Sequence, residues 1–357
     1  MNKIVTIVGA RPQFIKCKLI SEKIRKEYSE ILVHTGQHYD ENMSKSFFDL
    51  LEIPEPDENL GIGSGSHAKQ TAHMMISIES VLNKYKPDMV IIYGDTNSTL
   101  AGALVAAKMF IPVAHVEAGL RSFDKRMPEE LNRICADHYS DLLFCPGEGA
   151  ITNLKNENIS GHIYDVGDIM KDVLLNYSNK IDAKETLLKF NGIVKDKFYF
   201  LTIHRQENTD NIERLESIIN ILKEAKHPVV FAAHPRTRKI IEKNFKKSLH
   251  NISIIDPVNY LESIAFQKES EIVLTDSGGI QKEAYYLKKP CITFRNSTEW
   301  IELIETKHNV LVDVDIDKFR NAESMLLNKP AADYDNSLYG DGKAADKIVN
   351  HIKEYLH

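Results

Sequence analysis

The feature that most constrains this chain is a rhythm: short Val/Ile-rich runs alternate with segments of helical apolar periodicity, and the whole series is played twice. In the first half the apolar runs fall at 3–8, 30–35, 88–93, 112–116, 141–145 and 162–166, with helical patterns at 14–25, 41–51, 69–84, 97–110 and 127–139. A polar stretch of weak periodicity, 176–197, holds one short helix and is read as a linker. The rhythm then restarts at 198–203, 228–232, 252–255, 271–274 and 290–294. A last strand is expected at 310–314 and an amphipathic helix at 342–356. Near-continuous apolar strands joined by helices belong to parallel sheets covered on both faces. The expected fold class is α/β: two doubly wound, Rossmann-like domains facing a cleft. The predicted boundaries are 1–175 and 176–357, with the last helix free to pack back on the N-terminal domain.

Composition agrees with that reading and removes alternatives. A chain of 357 residues is too long for one ordinary core. Hydrophobic residues at 43% and charged residues at 27% are those of a globular protein. A net charge of −6 with no long basic run argues against a nucleic-acid binder. The four cysteines, Cys17, Cys135, Cys145 and Cys291, are scattered without a CxxC pair and read as buried thiols of a reducing compartment. A strand begins at residue 3, and no apolar run approaches membrane-spanning length, so a cytoplasmic protein without a membrane span is expected.

In doubly wound sheets, ligands bind beyond the carboxyl ends of the strands. Arg11, Asp95, Glu117, His204, His234 and Ser277 each lie just past an apolar run. Ser277-Gly278-Gly279 separates the run ending at Leu274 from a helical pattern at 280–287. Glycines there permit a tight turn and close approach of a ligand, and free amides at a helix start attract anions. A plain capped turn is the competing reading. Glu283, one helical turn on, suits a pair of sugar hydroxyls. In the first half, Arg11 and Lys16 stand near the first helix start, where they suit a diphosphate or a solvated face. Asp95 follows Gly94 as an N-cap or an active-site acid. Glu117 stands between an apolar strand and Ala118-Gly119, a place no helix cap requires, and suits proton transfer. Glu129, Glu130 and Arg133 follow Pro128 in a helix whose dipole alone favours one acid. His204-Arg205 suits a diphosphate, with a structural loop histidine as the competing reading, and His234-Pro235-Arg236 is a similar strand-end cluster or a basic loop. There is no HExxH motif, no Cys/His cluster and no nicotinamide fingerprint, so neither a metal nor a redox cofactor is expected.

Taken together, Gly9-Ala10-Arg11-Pro12, Gly36-Gln37-His38, Gly94-Asp95-Thr96, the segment His115 to Arg121, Pro128 to Arg133, His204-Arg205 and Thr275 to Glu283 resemble the non-hydrolysing UDP-N-acetylglucosamine 2-epimerases along nearly the whole chain. The resemblance implies a GT-B type fold, a homodimer, a UDP-sugar as substrate, and no nucleic-acid or membrane partner. It also implies a reaction: loss of the proton at sugar carbon 2 with departure of UDP, a 2-acetamidoglucal, and re-addition with carbon 2 inverted. The setting would be surface polysaccharide or glycan precursor synthesis. By motif position Asp95, Glu117 and Glu129 would be acid/base residues, with the direction of each left open. Arg11, Lys16, His204, Ser277, Gly278 and Gly279 would hold the diphosphate, with His204 also counted in the catalytic set. Glu283 would take the ribose, and Arg133, His234 and Arg295 complete the substrate-binding set. A glycosyltransferase of the same fold and a hydrolysing 2-epimerase are the alternatives.

Three segments depart from the family pattern: Thr298-Glu299-Trp300-Ile301-Glu302, Gln13, and Val166-Gly167-Asp168-Ile169-Met170. They resemble the branch acting on UDP-2,3-diacetamido-2,3-dideoxyglucuronic acid, for which Arg295 and Arg121 are candidate partners of the sugar carboxylate. The family's pattern for binding a second UDP-sugar reads here Gln37-His38-Tyr39-Asp40.

Overall fold

The computed structural model describes residues 2–37, 52–190, 197–245, 249–328, 334 and 338–357. The chain divides into two compact units, Met1–Val173 with Asn336–His357, and Leu174–Asp335.

In the first unit the strands β1 (Lys3–Val8), β2 (Ser29–His34), β3 (Glu58–Asn59), β4 (Met89–Tyr93), β5 (Val113–Val116), β6 (Leu142–Cys145) and β7 (His162–Asp165) form one sheet in the order β3-β2-β1-β4-β5-β6-β7. Every pairing is parallel. Parallel neighbours need crossover helices, and these cover both faces, so β4 and β5 are buried at every residue. Val5, Ile7, Val90 and Ile92 pack on Met74 and Ile78 of the helix His67–Tyr85 and on Ala101 of Asn97–Lys108. The strand order reverses between β1 and β4. The turns that leave those strands part there, which is where such sheets open a ligand site.

The last helix, Ala344–Leu356, belongs to this unit. It buries Ile348, Val349 and Ile352 and pairs Asp346 with Lys23 at 2.6 Å and Lys353 with Glu27 at 2.7 Å. Its first turn is capped from outside, where the Asp172 carboxylate accepts the Ala345 N–H at 2.8 Å.

In the second unit β8 (Tyr199–Thr202), β9 (Val229–Ala232), β10 (Ile252–Ile255), β11 (Ile272–Thr275), β12 (Cys291–Thr293) and β13 (Asn309–Leu311) run β10-β9-β8-β11-β12-β13, again all parallel. The order reverses between β8 and β11. Helices Ile212–Lys223 and Ile316–Leu327 bury Leu215, Ile219, Leu222, Phe319 and Leu326 against one face of this sheet.

Two elements escape the periodicity reading. β3 has two residues, too few to carry a pattern. The helix Ile316–Leu327 follows Asp315, whose carboxylate caps the amides of Asp317 and Lys318 at 2.9 and 3.0 Å. The stretch read as a linker carries the end of the helix Ile169–Lys180 and then the helix Ala183–Leu188 among its described residues. Val173, Leu174 and Tyr177 are buried at helical spacing, and their apolar contacts outweigh the polar surroundings. The helix expected at 41–51 lies outside the described residues.

Candidate active site

In the first unit two turns carry the carboxylates. Gly94 leaves β4 with φ +62°, a conformation glycine adopts without cost, and hands the chain to Asp95. Glu117 leaves β5 with φ +69°, unusual for a residue with a side chain. Hydrogen bonds impose that geometry: the N–H groups of Glu117 and Ala118 both donate to the Phe144 carbonyl at 3.1 Å, and the Gly94 N–H donates to Val116 at 3.0 Å. Strain held by its surroundings at a strand end is a mark of a functional position.

The acids are paired. The Lys16 ammonium contacts the Glu117 carboxylate, with both side chains nearly enclosed at 11% and 12% exposure. Burial works against the Lys16 charge. Glu117 outweighs it, with help from Asp95 and Asp168, and the ammonium titrates above the usual lysine value. Arg133 contacts Asp95 and reaches Glu130 at 3.2 Å. Of the neighbouring acids in the helix Pro128–His138, Glu129 is exposed, whereas Glu130 is 1% exposed. Glu130 accepts from the Ser122 and Phe123 amides at 2.8 and 2.9 Å, so it ties down the loop before the helix.

Gln13, one of the departures from the family pattern, is 2% exposed and fully used. Its Oε1 accepts from the amides of Gly9 and Ala10 at 2.7 and 3.1 Å, and its Nε2 donates to the Tyr93 carbonyl at 2.6 Å. It therefore joins the turns after β1 and β4. Arg11 opens the first helix, and its side chain lies outside the described atoms. Gln37 accepts from the Ser98 hydroxyl at 2.7 Å, while His38, Tyr39 and Asp40 lie outside the described residues.

Arg121 is not a free cation for a sugar carboxylate. Its side chain is 1% exposed and is held by Asp137 at 2.6 Å and Glu157 at 2.6 Å.

In the second unit Ser277 begins the helix Gly278–Tyr286 without using its side chain as a cap. That leaves the hydroxyl and the first amides of a nine-residue helix for a ligand. The Glu299 carboxylate lies against Gly278, where any Cβ would collide with it. Glu299 also bridges to Arg295 at 2.9 Å, and the Trp300 indole donates to the Gly278 carbonyl at 2.9 Å while Lys282 stacks on its ring, 4.1 Å from the centroid. The departing motif thus braces the helix start from outside. Glu283 is 9% exposed, and its Oε2 accepts from Gln267 Nε2 at 2.8 Å. Burial raises the Glu283 carboxyl above its ordinary value, against the pull of Gln267 and Lys282.

A residue without an assigned role from the sequence, Asp276, organises the His204 turn. It is fully buried and accepts from the amides of His204 and Arg205 at 3.1 and 3.0 Å, from Asn208 at 2.9 Å, and from His204 Nδ1 at 3.1 Å. Burial would raise its pKa; the His204 and Asn208 bonds, the His204 charge and the Arg205 amide outweigh that and lower it. The cue was its place between a buried strand and Ser277, where an acid must have partners. His204 and His234 are both exposed at the ends of β8 and β9, and His234 Nδ1 accepts the Arg236 amide at 3.3 Å.

Two Rossmann-like units, one with acids and one with a helix start at the strand ends, define a chain of the GT-B class. The chain belongs to the UDP-N-acetylglucosamine 2-epimerase family, whose pattern it matches over residues 22–353. Its members are isomerases. A UDP-N-acetylglucosamine 2-epimerase homolog of Methanococcus maripaludis is 51% identical over 98% of this chain and 99% of that one. The UDP-2,3-diacetamido-2,3-dideoxy-D-glucuronate 2-epimerase of Pseudomonas aeruginosa is 48% identical over 98% of this chain and 99% of its own. Among solved structures, the Methanocaldococcus jannaschii UDP-GlcNAc 2-epimerase in complex with UDP-GlcNAc and UDP superposes with a TM-score of 0.85 at 44% identity, covering 99% of both chains. No helix among the described residues is long and apolar enough to cross a membrane.

Proposed function

We propose that this chain is a non-hydrolysing 2-epimerase of a UDP-2-acetamido sugar. The first unit supplies the acid/base residues Asp95, Glu117 and Glu129. The second holds the diphosphate through Ser277, Gly278, Gly279 and His204 and the ribose through Glu283. Removal of the carbon 2 proton drives UDP from carbon 1, and protonation on the opposite face before UDP re-adds inverts the centre. Arg11, Arg133, His234 and Arg295 complete the substrate contacts. Lys16, expected on the diphosphate, is instead assigned to Glu117, with which it pairs. The observation that carries this reading is the left-handed Glu117, partly buried and paired with Lys16 beside the Gly94-Asp95 turn. A carboxylate so held is preorganised for proton transfer and cannot drift to solvent.

The 48% identity to the Pseudomonas aeruginosa relative supports a second substrate reading, the carboxylated 2,3-diacetamido sugar named for that enzyme. Arg295 is then the cation proposed for the carboxylate. The proposed setting is a cytoplasmic homodimer serving polysaccharide precursor synthesis. The test is a panel of UDP-N-acetylglucosamine and its diacetamido-uronic counterpart in deuterium oxide, read by deuterium at carbon 2. Exchange with either supports epimerisation and the faster substrate names the branch; exchange with neither defeats the proposal.

A further inference from the structure

His115, two residues before Glu117 on β5, is fully buried. Its Nε2 lies 2.8 Å from the Gly94 carbonyl and its Nδ1 2.7 Å from Asp137 Oδ1. A carbonyl only accepts, and Asp137 is held ionised: burial raises its pKa, and His115 and Arg121 together outweigh that and lower it. The ring donates from Nε2 to the Gly94 carbonyl and hydrogen-bonds Asp137 through Nδ1. The other Asp137 oxygen accepts from the Gly119 N–H at 3.1 Å and from Arg121 at 2.6 Å. Arg121 continues to Glu157, so the Asp137 carboxylate is shared between the ring, the Gly119 amide and a guanidinium that is itself held on its far side. One helix, Pro128–His138, thus holds both acid-bearing turns. Its Asn132 donates to the Asp95 carbonyl at 2.9 Å, its Arg133 pairs with the Asp95 carboxylate, and its Asp137 holds the Gly119 amide directly and the Gly94 carbonyl through His115.

We infer that His115 and Asp137 are positioning residues for the carbon 2 proton transfer. The ring sets the angle at which the Gly94 turn presents Asp95 relative to Glu117. This rests on the acid/base roles proposed above. A buried charged cluster that merely stabilised the fold would gain little over apolar packing, whereas one that holds two strained turns at fixed spacing preserves geometry.

Side-chain amides separate the two bonds. In His115→Gln the amide nitrogen falls near the Nε2 site and keeps the Gly94 carbonyl; in His115→Asn it falls near Nδ1 and keeps only Asp137. The expected result is a loss of about 100-fold in kcat for H115N and less than about 10-fold for H115Q, because small displacements of reacting groups cost about that much. KM and the affinity for UDP stay within about threefold in both, since the ground-state grip lies elsewhere. Equal kcat losses in the two variants, or KM rising in step with them, would overturn the inference. Should H115N fail to fold, Asp137→Asn leaves the ring and its Gly94 bond in place: kcat falling at least tenfold with UDP affinity held supports the inference, and unchanged kcat overturns it. Wild-type exchange at carbon 2 is measured alongside, so a failure of the epimerase reading is seen separately.

Discussion

Asp276 Oδ1 lies 3.1 Å from His204 Nδ1, and the same carboxylate accepts the amides of His204 and Arg205. The ring is thereby held by its δ nitrogen with its ε nitrogen outward, the arrangement in which a second group sets the tautomer of a working histidine.

Asp276→Asn is expected to lower kcat about 10- to 100-fold, because the amide cannot both accept from the backbone and orient His204. Steady-state kinetics on the preferred UDP-sugar check it. The native pKa lies below the ordinary carboxylate value, so the stabilising contribution is present above about 3.8 and is lost as pH falls through the lower native value. Acid unfolding of the variant will lack that final loss.

Glu117→Gln is expected to abolish deuterium exchange at carbon 2, at least about 10³-fold, while UDP binding by calorimetry is unchanged. Lys16→Met leaves Glu117 enclosed without its counter-charge. It is expected to cost roughly 2 kcal/mol of stability, discounted from a fully buried pair because both side chains keep some exposure, measured by urea unfolding.

Glu283→Gln and Gln267→Leu are expected to raise KM about tenfold with kcat little changed, since both act on ground-state ribose binding. Gln267 is fully buried and contacts Glu283, so its loss acts through that carboxylate. A fall in kcat with KM held would reassign both.

His34 is 4% exposed, packs edge-on against Phe14 and accepts the Gly36 N–H at its Nδ1. Burial depresses its pKa from 6.5 to about 4. The unfolded chain takes up the proton first, so stability falls as pH drops from 6.5 towards 4. The gap corresponds to at most about 3 kcal/mol. His34→Asn keeps an acceptor for Gly36 and should flatten the stability profile across that window.

Most strands and the parallel winding were legible because burial on both faces writes itself as unbroken Val/Ile runs, and the strand-end rule then pointed to Asp95, Glu117, His204 and Ser277 without any contact being known. The helix Ile316–Leu327 is marked locally by the Asp315 cap, which the strand–helix rhythm alone does not reveal. What the pattern could not carry was partnership. Lys16 suits an anion as readily as a carboxylate, and nothing local says that its neighbour is Glu117, 101 positions away.

Chain order alone therefore determined the class of fold, the family and the strand-end turns proposed to bear the chemistry. Tertiary structure alone decided which groups partner one another: Arg121 with Asp137 and Glu157, Arg133 with Asp95, and the His204 ring with Asp276. The physical reason is one of range. Periodicity and caps are local properties of a few consecutive residues, whereas the energy of a buried charge depends on groups that only folding brings within a few ångströms.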